Sequence, residues 1–385
     1  MFFYPLSVFL FFILSTGCEL SVEKISAEKN SNIKNVVIPK PLEIKEANII
    51  ENLEYIILEA KDNAFLTHIS KLRVYNNRIF IYDLIGTKNV FIYSIDGKHI
   101  ATVGNNRGQG PLDFVEVYNF EIDYVNNQLL VMDNFGQKFM IYDFDGNFIK
   151  RVGSKLRVGD AILLSNGNIV HAKSSDEHKL SGQNKSSIFI VDDNQKIIKE
   201  GFEYDDNKSL NFHSYDIIRS LSNGDFSFSP RFRDTIYSIT FDSIVPKYAF
   251  NYGNNKKISY QELADLKDDM DMLKLCKEGR LCFFGANVES KDYLFIELGF
   301  YYNTTAVFFN KHTSKTIAIS IGLNNKIFEQ DLYKILCSDD DNYFYGAFNR
   351  TQIDDLIKIF PELQHLDNLD DLNPILFRYK IKNVE

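Results

Sequence analysis

Short apolar runs of about six residues, broken by Asn, Asp and Gly pairs, recur along most of the chain. The run Arg78–Asp83 (RIFIYD) returns 50 residues later as Gln128–Asp133 (QLLVMD). Val90–Ile100 (VFIYSIDGKHI) returns 49 residues later as Phe139–Ile149 (FMIYDFDGNFI), and both copies close in Val-Gly, at Gly104 and Gly153. Each copy reads as strand, turn, strand, turn, strand. The alternation predicts strands with one buried face. Asn76-Asn77, Asn126-Asn127, Asp96-Gly97 and Asp145-Gly146 supply residues that tolerate positive φ in tight hairpins.

Weaker copies follow. Ser165-Asn166-Gly167-Asn168 and Ser222-Asn223-Gly224-Asp225 are turns at equivalent places, and the closing glycine recurs at Gly201, Gly253 and Gly322. Successive closing glycines are 49, 48, 52 and 69 residues apart. The long interval holds a helical pattern, Ser259 to Lys277, with Leu263, Leu266, Met270 and Leu273 on one face and Ser259 as N-cap. A second helical insertion is predicted over Thr351 to Leu366. Both should pack on one rim of the fold. Five glycine-closed units and a final segment make six, and a period near 50 residues of four short strands fits radial repetition. The expected fold is therefore all-β, a six-bladed β-propeller over residues 51–385 with two short helical insertions. Leu53–Leu58 is an isolated strand pattern before the first unit. It is expected to pair with the last blade, Tyr343–Phe348 and Ile375–Ile381, closing the ring and hiding an edge.

The N-terminus differs from the rest. Residues 1–17 carry no charged side chain, and the apolar run Phe2–Leu14 spans 13 residues. A bilayer-spanning helix needs about 20, so the run has the length of a signal-peptide core. It ends in Leu14-Ser15-Thr16-Gly17-Cys18, which resembles a bacterial lipobox. The resemblance implies a diacylglyceryl group on Cys18, cleavage before it, and a membrane partner through that anchor. Residues 18–50 open with a polar stretch without apolar period, and are expected to form a flexible tether.

The chain as a whole resembles the six-bladed β-propeller lipoproteins of Gram-negative bacteria, relatives of the NHL-repeat propellers. The segments that carry the likeness are Leu53–Asp83, Val90–Gly104, the loop Gly104–Phe114, Arg233–Ile239 and Asn373–Lys382. The loop is the most specific: Gly108-Gln109-Gly110-Pro111-Leu112-Asp113-Phe114 stands where the family commonly reads Gly-x-Gly-Pro-Gly-Glu-Phe. The likeness implies an exported propeller on a lipid anchor in the cell envelope, at the outer membrane, facing the periplasm or the surface. It implies no chemistry, since fold alone does not carry function.

Composition narrows the partners. Net charge is −9, with 33 Phe and 21 Tyr but no Trp. An acidic chain without basic runs excludes the electrostatic footprint of a nucleic-acid binder. After Cys18 three cysteines remain. Cys276 and Cys282 either pair or, with Cys337, serve as small buried hydrophobes. The seven histidines show no i, i+4 pair and no Cys-x-x-Cys exists, so no zinc site is expected. No Gly-x-Ser-x-Gly elbow occurs. No cofactor is predicted; calcium held by carboxylates of separate blades is compatible with the fold and supported by no spacing.

Candidate ligand-binding residues are few. Arg231 and Arg233 lie two apart on an expected strand, hence on one face. They suit a carboxylate or sugar acid, or else meet Asp residues of neighbouring blades. Arg107 stands in the glycine-rich loop with the same two readings. Lys71, Glu121 and Arg219 should line the channel, on the innermost strands. Three functions remain open: a non-catalytic module binding a peptide, glycan or protein, a metal-dependent hydrolase or lyase acting in the channel, and a structural subunit of an envelope complex.

Overall fold

A computed structural model describes residues 23–24, 32–61, 65–154, 159–164, 166–172, 186–192, 194–203, 216–221, 226–230, 233–240, 243–266, 269–300, 303–322, 325–366 and 373–382. Residues 1–17, Cys18 and Arg231 fall outside these ranges. The described residues form six small sheets arranged as a six-bladed β-propeller.

The first described elements form a strap of short strands, β1 (Glu23–Lys24), β2 (Lys34–Val37) and β3 (Leu42–Glu43), before β4 (Ile50–Ile56). Blade 1 is β5 (Lys71–Tyr75), β6 (Arg78–Tyr82), β7 (Val90–Ser94) and β8 (His99–Val103), each antiparallel to the next. Blade 2 is β9 (Asn119–Asp123), β10 (Gln128–Asp133), β11 (Lys138–Asp143) and β12 (Phe148–Gly153). Blade 3 is β13 (Asp160–Leu163), β14 (Ile169–Ala172), β15 (Ser186–Val191) and β16 (Ile197–Glu203). Blade 4 is β17 (Ile218–Ser220), β18 (Phe226–Phe228), β19 (Thr235–Ile239) and β20 (Ile244–Asn251). Blade 5 is β21 (Phe283–Glu289), β22 (Tyr293–Phe300), β23 (Asn303–Asn310) and β24 (Thr316–Ile321). Blade 6 is β25 (Cys337–Ser338), β26 (Phe344–Phe348) and β27 (Ile375–Ile381), completed by β4. The expected closure is thus present: Leu376 pairs with Ile56 and Ile381 with Ile50, antiparallel.

Residues 32–50 depart from the expected tether. β2 adds to the outer strand of blade 4, Lys34 opposite Tyr248, and β3 to that of blade 5, Leu42 opposite Ile319, both in parallel. After its polar opening the stretch turns apolar: Val36 and Ile38 insert into the seam between blades 4 and 5 and are fully buried, and Ala47 and Ile49 are buried in the seam between blades 5 and 6. These buried side chains and two open sheet edges order a segment whose polar opening reads as coil.

The core is divided into seams. Each interface between neighbouring blades holds its own apolar cluster, such as Phe80, Tyr82, Phe120 and Val131 between blades 1 and 2. On the other side of the same strand, Ile79 and Ile81 face blade 6. The inner strands are therefore buried on both faces, not one, because every blade is flanked twice. This explains the near-continuous apolar runs. Only outer strands such as β12 stay exposed along their length.

Antiparallel order also divides the connections. Turns after the first and third strands of each blade emerge on one face, and the remaining connections on the other. The turn face is built of short hairpins with Asn76, Asn77, Gly97, Asn127 and Gly146 at positive φ. The opposite, loop face carries the helices: α1 (Tyr260–Asp265), α2 (Asp269–Lys277), α3 (Ile327–Asp331) and α4 (Ile353–Ile359). Ser259 caps α1 as expected, its hydroxyl and the Glu262 carboxylate forming a reciprocal box. The first insertion is two helices, not one, and α3 was not among the expected elements.

Candidate functional site

The innermost strands bring charged residues together in the channel. Lys71 and Arg73 of β5 stand opposite Asn119 and Glu121 of β9, each pair 48 residues apart in the chain. Repetition places them at the same level of adjacent blades. Lys71 Nζ lies 3.0 Å from Glu121 and 2.7 Å from Asp216, at the entry to blade 4. The Arg73 guanidinium donates to both Glu121 oxygens, at 3.1 and 2.9 Å, and to both Asp216 oxygens, at 3.3 and 2.9 Å. Arg219 closes on Asp216 at 3.1 Å and donates to the Asn287 carbonyl of blade 5. Asp160 of blade 3 accepts from the Asn119 amide at 2.5 Å and the Ile217 N–H at 2.6 Å. Five blades are thereby tied across the axis.

The electrostatics follow from burial. Desolvation would push the Asp216 carboxyl up, but Arg73, Lys71 and Arg219 outweigh it and hold it far below the usual carboxylate range. Glu121 is likewise buried yet held below its ordinary value by Arg73 and Lys71. Asp160 behaves oppositely. Burial pushes it up to about 6; Lys71 opposes this, while Asp216 and Glu121 add repulsion. Every carboxylate in the channel is engaged by a cation or by N–H donors, so the cluster acts first as a plug that locks the ring. Among the described residues no group of three or more His, Cys, Asp or Glu is arranged to hold a metal.

Residues 29–380 match the family described as Domain of unknown function (DUF4934). The chain belongs to that family. No curated protein is similar to it in sequence. Among solved structures it is similar to a Bacteroides fragilis protein predicted to be exported, with 17% identity and a TM-score of 0.71 over 91% of this chain and 100% of that one. It is also similar to a member of the DUF4221 family from Bacteroides vulgatus, with 12% identity and a TM-score of 0.52 over 88% and 99% of the two chains. Both likenesses concern the fold.

In this DUF4934 protein the expected channel residues Lys71, Glu121 and Arg219 converge, and Arg107 and Arg233 do not join them. Arg107 sits on the loop face, where its Nη2 donates to the Thr87 and Lys88 carbonyls and to Asn89 Oδ1 at 3.1, 2.8 and 2.9 Å. It pins one loop of blade 1 to the next connection. Arg233 is exposed and precedes β19 instead of lying on a strand, because the blade-4 strands are short and their connection takes up the sequence. Cys276, Cys282 and Cys337 are buried, the small-hydrophobe alternative; burial pushes the Cys282 and Cys337 thiols far up. Sequence reasoning missed Arg73, Asp160 and Asp216. The 48-residue repeat was the available signal for Arg73, as the counterpart of Glu121.

The glycine-rich loop is a structural element. Gly110 N–H donates to Asp113 Oδ2 at 2.9 Å, and a Cβ on Gly108 or Gly110 would lie about 2.5 Å from that oxygen. Lys138 donates to the Asp113 carbonyl from beneath. Around this loop the apolar side chains are open to solvent: Ile85 is 70% and Phe135 54% exposed, with Phe65, Leu112 and Val115 exposed beside them in the chain's loop-face connections. Met270, Ile327 and Ile359 on the helices are exposed as well. Among the described residues the turn face exposes fewer large apolar side chains, Val125 in a hairpin, Ile33 where the strap begins and Phe148 at the start of β12.

Proposed function

We propose that this protein is an exported lipoprotein, anchored to the cell envelope at the outer membrane through Cys18, whose propeller is a non-catalytic module that binds a protein partner on the loop face. One observation carries the reading: eight exposed large apolar side chains, from Phe65 to Ile359, belong to loop-face connections. Loops on a rigid scaffold are where binding residues concentrate, and exposed apolar side chains gathered on one face mark interaction surfaces. The asymmetry favours a protein over a small glycan, which would call for a polar cleft. The hydrolase or lyase reading draws no support from the channel, whose carboxylates are already engaged.

The test uses envelope solubilised from the native host. The protein is expected to migrate on native gels in a discrete species heavier than the 44.6 kDa of the whole chain, signal segment included. The double variant Ile85→Ser with Phe135→Ser should return it to monomer size, while Val125→Ser should not. Migration as a monomer in every case would overturn the reading. The anchor is tested separately: Cys18→Ala should move the protein from the membrane to the soluble fraction, and unchanged fractionation would rule lipidation out.

A further inference from the structure

The strap and the seam between blades 4 and 5 leave a pocket of about 300 Å³ at the turn-face end, lined by Asn32 and Lys34 of the strap, Val245 to Tyr248 of blade 4, and Glu289 and Lys311 of blade 5. Pro246 explains why it exists. A proline in an outer strand offers no N–H and is tolerated at bulges. Here the register of β19 and β20 shifts opposite Pro246, and the strap's ladder starts only at Tyr248. The backbone from Val245 to Lys247 is left as a wall of the pocket.

The charges at this wall are fixed in place. Glu289 ends β21 with its side chain 9% exposed. It accepts from Lys247 Nζ at 3.0 Å, Lys311 Nζ at 3.0 Å and the Tyr248 hydroxyl at 2.8 Å. Lys311 also donates to the Ser290 carbonyl at 2.5 Å, and Lys34 reaches the Lys311 carbonyl at 3.0 Å. Two ammonium groups thus contact one carboxylate and a third, that of Lys34, lies against the Lys311 backbone, leaving two positive charges in excess among the lining residues. An acidic protein has concentrated cations in a small concave site, held by a buried hydrogen-bonded anchor and flanked by Val245 and Pro246.

We infer that this pocket binds a small organic anion, a carboxylate or phosphate group on a body no larger than a hexose. The oxyanion meets Lys34, Lys247 and Lys311, and the body lies along Val245 and Pro246. Pockets of this volume are at the lower limit for small-molecule sites. Because Lys34 belongs to the strap and the other two lysines to the blades, an occupied pocket clamps the strap to the ring.

Calorimetric titration of the full chain with glucuronate, glucose 6-phosphate, inorganic phosphate and glucose tests this. One or both sugar acids should bind while glucose does not, and inorganic phosphate should bind at least tenfold more weakly than the better acid. Lys247→Gln and Lys311→Gln should each weaken that acid at least tenfold. Lys34→Gln changes only an exposed side chain and keeps the test valid if the other two fail to fold; it should weaken binding threefold or more. The bound acid should also slow hydrogen exchange at the Val36 and Val37 amides. Absence of binding by both acids, equal binding of glucose, or unchanged affinity in Lys34→Gln overturns the assignment. Phosphate binding as tightly as the sugar acids overturns the role given to the apolar wall.

Discussion

Asp216 is surrounded by three cations, Lys71, Arg73 and Arg219, all within 3.1 Å. Removing one partner of a buried pair leaves uncompensated charge and costs about 3–5 kcal/mol. Asp216→Asn is therefore expected to lower stability to urea by about 3 kcal/mol. It should also bring the Asp160 carboxyl below its present value of about 6, because Asp216 is one of the charges that raises it; carbon NMR of the carboxyl reads this directly. Glu297 gives a pH dependence of opposite origin. On β22, burial raises it to about 7, with Lys334 only partly opposing. The folded state then binds more protons than the unfolded chain between about pH 4.3 and 7, so this group's contribution to stability falls as pH rises through that window. Glu297→Gln should remove this slope and raise stability at pH 8 by about 1–2 kcal/mol relative to the native residue. Equal urea midpoints for the two proteins at pH 5.5 and 8 would refute the assignment.

At the scale of elements, the repeat is enforced by hydrogen bonds as well as by apolar seams. Asp133 ends the second strand of blade 2, and Asp83 directly follows that of blade 1. Asp83 accepts from Thr67, Gly86 and Thr87 N–H groups, and Asp133 from Val115 and Gly136 at 2.8 and 2.7 Å. Each carboxylate joins its own blade's loop to the connection entering that blade. Asp133→Ala strands those donors and should destabilise the protein by about 2–3 kcal/mol, with faster hydrogen exchange concentrated at Val115 and Gly136. The two aspartates stood in the compared repeats, so the element was legible while its bonding was not. The strap was illegible for a different reason: four-residue β2 has a single buried position, Val36, and no period can be read from one side chain. Val36→Asp should detach the strap and open it to limited proteolysis while the blades remain resistant.

The whole molecule was the most legible scale. A 49-residue recurrence of strand and turn dictates radial repetition, and an unpaired strand at Leu53 can only be satisfied by the far end of the chain. Strand positions also foretold that Lys71, Glu121 and Arg219 line the channel. Their partners were not foretold, because Asp216 and Asp160 meet them across the axis, from blades whose spacing in sequence carries no mark of contact. The resulting molecule has a locked centre, a turn face of short hairpins and a loop face with exposed apolar side chains. The proposed function accordingly rests on the loop face. Photo-crosslinking in intact cells tests this most directly, with a photoreactive phenylalanine analogue placed at Phe135 or at Val125 of the full chain. The account predicts a discrete crosslinked protein from Phe135 and none from Val125; equal products from the two faces, or none from Phe135, would contradict it.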